Sequence, residues 1–151
     1  VSPRHRVVKT YGHDLGLSCA FRQWRATSHC RFLHGYALAV RLEFGADELD
    51  GNGWVIDFGA LKPVKAFLQD SFDHKLLAAG DDPLLDHLQV LALAGGADLV
   101  VWEEGIGAER FAERVHTWVC AWLSEAGLSP RVTLLRTDVA EHTGNSAGVT
   151  T

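Results

Sequence analysis

The stretch Tyr36-Ala37-Leu38-Ala39-Val40-Arg41-Leu42-Glu43-Phe44 decides the fold class. Leu38, Val40, Leu42 and Phe44 share one face at period two, while Arg41 and Glu43 share the other. That alternation describes an antiparallel strand with one face in the core and one towards solvent. Towards the N-terminus, Trp24 to Leu33 is polar and rich in His and reads as a loop, and Val7 to Arg22 reads as a long strand with a loop. In the other direction, Asp50-Gly51-Asn52-Gly53 is a turn signal. Trp54 to Phe58 then reads as a short returning strand that closes a hairpin.

Helix signals follow. Asp57 can cap a segment with Leu61, Val64, Leu68 and Phe72 on one side, starting near Leu61 because Pro63 is tolerated only in a first turn. Asp82-Pro83 opens a second segment, with Leu84, Leu88 and Leu91 as its buried side and Gly95-Gly96 as its stop. A third runs from about Ala108 to Ala126 on the stripe Phe111, Val115, Trp118, Val119 and Trp122. Val132 to Glu141 is a last long strand, with Val132, Leu134 and Arg136 on one side and Thr133, Leu135 and Thr137 on the other. Gly144 to Val149 is a turn and an edge strand. This order is α+β rather than βαβ: an antiparallel sheet with helices on one face. Open sheet edges are blunted or paired with another chain, so a homo-oligomer is expected.

Composition sets the outer bounds. The chain has 151 residues, 14 Lys or Arg against 19 Asp or Glu, and 47% apolar residues, which suits one domain with a real core. A net charge of −5 leaves no broad basic face, so nucleic acid and anionic membrane are poor partners. The longest apolar candidate, Leu84 to Trp102, is interrupted by charged and Gly residues, so no spanning helix is expected. Val1 to Lys9 is polar and basic, so no secretory signal is expected there. Three Cys without framework spacing fit free thiols in a reducing compartment, and a cytoplasmic location is expected.

Three polar clusters can carry chemistry. In Ser28-His29-Cys30-Arg31-Phe32-Leu33-His34-Gly35, a thiol and an imidazole four residues apart can share a site. The alternative is a small buried Cys and a surface His. In Phe72-Asp73-His74, the carboxylate can orient the imidazole, provided the chain turns there, because adjacent helical residues do not face each other. The alternative is a solvated helix end. In Glu141-His142, the carboxylate can hold an amidine-like edge by two parallel hydrogen bonds, or simply face solvent at a strand end. Eight His invite a metal reading, yet there is no HxH, HExxH or CxxC pair.

Taken together and in order, these runs resemble one family. They are Leu17-Ser18-Cys19-Ala20-Phe21-Arg22, Cys30 to Gly35, Gly53-Trp54-Val55-Ile56-Asp57-Phe58 with Leu61-Lys62, Phe72-Asp73-His74, Glu109 with Phe111-Ala112 and Val115, and Glu141 with Ala147. The chain resembles the 6-pyruvoyltetrahydropterin synthase and 6-carboxytetrahydropterin synthase family along nearly its whole length. The resemblance implies a tunnelling fold, a four-stranded antiparallel sheet with helices packed on one face. It also implies sheets joined edge to edge into a barrel, typically a homohexamer of two stacked trimers. One such domain would occupy 1–151, with an insertion at about 81–104.

The implied chemistry is that of a lyase on 7,8-dihydroneopterin triphosphate, with loss of triphosphate and rearrangement or cleavage of the side chain. The bacterial branch leads towards 7-deazapurines such as queuosine. By position, Cys30 matches the family's proton-transfer Cys, Asp73 and His74 its Asp-His partners, and Glu141 the residue that grips the pterin edge. The family also binds zinc through three His. Here Phe21 and Tyr36 stand at two of those positions and only His34 remains. One His does not meet the usual three-ligand demand of zinc. His29, beside Cys30, and the cations Arg22 and Arg25 are what the sequence offers in its place. Two further readings stay open: a paralogue acting on another pterin or purine, and a pterin-binding protein without catalysis.

Overall fold

The structure, a computed structural model, describes residues 2–151. Its spine is the decisive strand, which is longer than the alternation alone shows: β3 spans His34–Ala46. Leu38, Val40, Leu42 and Phe44 are all fully buried, as their spacing requires. Before it come β1 (His5–Tyr11) and β2 (Leu17–Phe21), both antiparallel to β3 and lying along the same edge of it. One nearly continuous partner therefore runs opposite β3, broken only by a short 3-10 turn at His13–Leu15. Gly16 leaves that turn in the left-handed region at φ 82°, where Gly carries no Cβ penalty.

On the other edge of β3 lies β6 (Thr133–His142), followed by β7 (Asn145–Thr150), both antiparallel. The register of β6 slips once against β3, where Glu43 pairs with Arg136 but Phe44 with Leu134, and once against β7, where Glu141 is left without a partner between Ala140 and His142. Leu135 is the extra residue of a bulge, so the parity of the strand reverses. Leu134, Thr137 and Val139 all face the core, and the two-sided pattern expected of Val132 to Thr137 holds only before the bulge.

Helix α1 (Lys62–Phe72) starts where Pro63 demands, with that Pro in its first turn and Val64, Leu68 and Phe72 buried. Helix α3 (Ala108–Glu125), numbered after the α2 described below, buries Phe111, Val115, Val119 and Trp122. Phe67 of α1 stacks on Trp118 of α3 at 4.2 Å, so the two helices cover one face of the sheet together.

The segment Trp54 to Phe58 is not a strand. Val55 and Ile56 are buried, but their backbone is held by other groups. The Arg131 guanidinium donates to the carbonyls of Glu48, Trp54 and Val55, and Asp57 caps Gly59 N at 2.8 Å ahead of a 3-10 turn at Phe58–Leu61. The expected hairpin is replaced by a loop pinned by one Arg.

The four-stranded antiparallel sheet with helices on one face also requires correction. The sheet has seven strands and is mixed, in the order β5-β4-β2-β3-β6-β7 with β1 also on β3. β4 (Lys75–Ala79) pairs parallel with β2, and β5 (Asp98–Trp102) pairs parallel with β4. Between them α2 (Leu85–Leu93) packs on the opposite face, where Leu76, Ala78 and Leu88 form a second small core. Of its expected buried side only Leu88 is covered, while Leu84 and Leu91 are exposed. Residues 81–104 thus extend the sheet by a strand and give it a second layer.

Candidate functional site

The β2–β3 register brings three rings together. Phe21 pairs with His34 and Cys19 with Tyr36, and paired residues point to the same face of a sheet. The ring centroids of Phe21, His34 and Tyr36 lie 5.3, 6.0 and 5.4 Å apart. Phe21 is fully buried against Phe111 of α3. Gly35, between His34 and Tyr36, allows this approach: a Cβ there would stand 2.5 Å from the Cys19 carbonyl oxygen.

Two further groups act on Tyr36 of this cluster, Cys30 from the preceding loop and Glu141 from β6. Cys30 lies in a 3-10 turn, His29–Arg31, whose start is capped by Ser28 and whose Cys30 carbonyl accepts from Gln23 N at 3.0 Å. Glu141 is at the end of β6, next to His142, whose ring lies 6.1 Å from Tyr36. Partial burial, with the Glu141 carboxylate and the Cys30 thiol beside it, raises the Tyr36 phenol above its ordinary value. Cys30, Tyr36 and Glu141 thus share one electrostatic neighbourhood.

Asp73 and His74 are elsewhere. His74, two residues past the end of α1, lies in the left-handed region at φ 58°, a strained geometry for a residue with a Cβ. That turn lets the adjacent pair meet: His74 Nδ1 donates to Asp73 Oδ1 at 2.6 Å, leaving Nε2 free. The His74 side chain is 89% exposed. It borders an open cavity of about 410 Å³ with Ser18, Gly35, Leu91 and Asp98. This cavity lies on the α2 side of the sheet, whereas the Phe21–His34–Tyr36 cluster lies on the α1–α3 side. Within one chain the imidazole and the thiol are not brought together.

Zinc does not fit the family positions. Phe21 has no donor atom, Tyr36 is a phenol kept protonated by its surroundings, and His34 Nδ1 donates to the Phe32 carbonyl at 2.7 Å. That leaves one imidazole nitrogen where three are required. Among the described residues no three His, Cys, Asp or Glu side chains gather to hold a metal ion. His29 is exposed and Arg22 and Arg25 are already engaged. Arg22 Nε donates to buried Asp82 at 2.9 Å, and Arg25 to Asp81 at 2.6 Å, with Trp24 Nε1 on the same Asp81. These cations hold residues 81–104 against the Cys30 loop instead of replacing a metal. The sequence showed Asp82 only as a helix cap before Pro83. Helix α2 begins instead at Leu85 with Leu84 at its N-cap, and the pairing of Asp82 with Arg22 has no local signature, because the two are 60 residues apart. His142 stands beside Glu141 in the sequence, but its approach to Tyr36 has no local signature, since the register shift between Ala140 and His142 against β7 sets its direction.

Comparison with solved structures shows the fold. An uncharacterized protein from Wolinella succinogenes superposes with a TM-score of 0.80 at 19% identity, covering 97% of each chain. The 6-pyruvoyl tetrahydropterin synthase of Plasmodium falciparum superposes with a TM-score of 0.67 at 15% identity, over 95% of this chain and 96% of that one. The fold is therefore that of the pterin synthases. In sequence, residues 13–151 match the family described as 6-pyruvoyl tetrahydropterin synthase, and the chain belongs to that family. A 6-carboxy-5,6,7,8-tetrahydropterin synthase of Aquifex aeolicus is 28% identical over 87% of this chain and 82% of its own. One from Rickettsia felis is 41% identical over 54 residues, 35% of this chain and 39% of that protein. The matched stretch thus spans well under half the length of the Rickettsia relative. Among the described residues no helix is long and apolar enough to cross a membrane.

Proposed function

We propose that this protein is a pterin-converting lyase of the 6-carboxytetrahydropterin synthase type, acting on 7,8-dihydroneopterin triphosphate as a homo-oligomer. What supports this reading is that the Cys30 thiol and the Glu141 carboxylate, far apart in sequence, both act electrostatically on the Tyr36 phenol. Glu141 accepts two parallel hydrogen bonds from the amino-pyrimidine edge of the pterin. Cys30, as thiolate, takes a proton from the side-chain carbon next to the one bearing triphosphate. The C–H electron pair becomes a new double bond, the C–O bond breaks, and triphosphate leaves with its electrons. His74, oriented by Asp73, gives a proton through Nε2 to the enol carbon that carried the triphosphate, which becomes a methyl group beside a ketone; this requires a second copy of the chain to bring His74 near.

Incubation with dihydroneopterin triphosphate tests the reading. Triphosphate release with a reduced pterin product is expected, and its absence with binding intact overturns the lyase. The Phe21–His34–Tyr36 rings favour a second reading, in which a member without a metal acts on another pterin or purine, or binds a pterin without converting it. Binding without release in the same assay is the result that reading expects.

A further inference from the structure

We propose that Tyr36 is a catalytic hydrogen-bond donor of this site, its hydroxyl donating to an oxygen on the side chain of a bound pterin. The inference deepens the pterin reading above and rests on it.

Donors and acceptors are unevenly divided around the site. Phe21 can neither donate nor accept. Neutral His34 carries its proton on Nδ1, towards the Phe32 carbonyl, so its Nε2 accepts. The Glu141 carboxylate accepts, and a Cys30 thiolate accepts. A substrate rich in side-chain oxygens would meet acceptors on nearly every side. Tyr36 is the half-buried exception, on a rigid central strand, with its ring fixed edge-on to His34 and tilted against Phe21 and His142.

A tyrosine phenol is neutral at ordinary pH and carries one O–H donor. A neutral phenol beside an anionic base can donate throughout the working range. A preorganised donor aimed at a substrate oxygen does by hydrogen bonding part of what a metal does by charge, at the place where the donor set does not fit zinc. The other candidate is His142. Its Nδ1 accepts from Gly144 N at 3.0 Å, so its neutral ring carries a proton on Nε2, but the side chain is exposed at a strand end.

Tyr36→Phe removes the hydroxyl and keeps the ring packing, and thermal melting checks that the fold is unchanged. Two probes are titrated by fluorescence: neopterin, whose trihydroxypropyl chain offers oxygens, and unsubstituted pterin, which has none. Tyr36→Phe is expected to weaken neopterin about tenfold and leave pterin unchanged, the effect of losing one good hydrogen bond. With dihydroneopterin triphosphate, kcat should fall on the order of a hundredfold with KM within about threefold, as for removal of an oxyanion donor.

An unchanged neopterin-to-pterin affinity ratio in Tyr36→Phe overturns the proposal. So does a ratio that moves in His142→Ala and stays in Tyr36→Phe. If the wild type releases no triphosphate, the proposed reaction fails while the affinity ratio still decides the donor. If it binds neither probe, both fall together.

Discussion

Cys30 and Glu141 illustrate how single residues divide the labour of the site. If the thiol transfers a proton and does nothing else, Cys30→Ala abolishes triphosphate release and leaves pterin affinity within about twofold, since Ala removes one small group from a half-exposed turn. Unchanged turnover removes Cys30 from the chemistry. Glu141 should behave in the opposite way. Glu141→Ala is expected to weaken every pterin, with or without a side chain, by about 2–5 kcal/mol, the cost of breaking a charged hydrogen-bonded pair. Calorimetric titration reads this directly, and equal affinity places the carboxylate outside the pocket. A third residue carries a pH signature of the fold itself. His116 of α3 contacts Thr137 Oγ1 at 3.0 Å and Thr151 Oγ1 at 3.2 Å, and burial lowers its pKa. The unfolded chain then binds the proton more readily than the folded one. Its contribution is complete above the unfolded value of about 6.5 and is lost as pH falls through that value to the lower folded one. His116→Gln should therefore flatten the decline of the urea midpoint between about pH 7 and 5. A parallel decline in the variant assigns it to other groups.

At the scale of elements, β5 is the piece that turns a sheet extension into part of the core. It delivers Trp102, 1% exposed, between Phe72 and Phe111, with the Arg114 guanidinium 4.1 Å over its ring. Phe111 in turn packs edge-on to Phe21, so the strand is joined through two rings to the Phe21–His34–Tyr36 cluster. Trp102→Ala should cost about 3–5 kcal/mol in urea unfolding, as for other buried Trp truncations. A loss below about 1 kcal/mol would show that residues 98–102 are a detachable appendage. What was legible in the sequence follows from the same physics. β3 is readable because one face is wet at its C-terminal half, so Val40, Leu42 and Phe44 alternate with Arg41 and Glu43. β4 and β5 are parallel and covered on both sides near α2, so Leu76-Leu77-Ala78-Ala79 and Leu99-Val100-Val101-Trp102 show no alternation. Trp54 to Phe58 misled because Val55 and Ile56 are buried in strand-like order, while the group that holds their carbonyls, Arg131, lies some 76 residues away. The candidate site was legible residue by residue through resemblance. Its convergence depends on the β2–β3 register and the β6 bulge, which no local spacing encodes.

For the whole molecule, the separation of His74 from Cys30 is the most consequential feature. One chain holds the thiol, Tyr36 and Glu141 near the α1–α3 face, and half-buried Asp73 with the highly exposed His74 on the other. Three strand edges, the outer sides of β1, β5 and β7, have no strand partner among the described residues. Exposed edges invite pairing with other copies, and closed rings of identical chains present one copy's outward groups to the next copy's pocket. A proton-transfer pair assembled in this way is testable by mixing two inactive proteins. Cys30→Ala supplies only a competent His74, and His74→Ala only a competent Cys30. When the two are unfolded together and refolded in equal amounts, a site shared between copies regains about a quarter of wild-type activity, one half times one half, from random closed assemblies. A site contained in one chain regains none, because every chain in the mixture lacks one group. Sedimentation of the refolded mixture shows whether an oligomer has formed. An assembled but inactive mixture, from two variants that each still bind pterin, would remove His74 from the shared pocket and leave Cys30, Tyr36 and Glu141 to act without it.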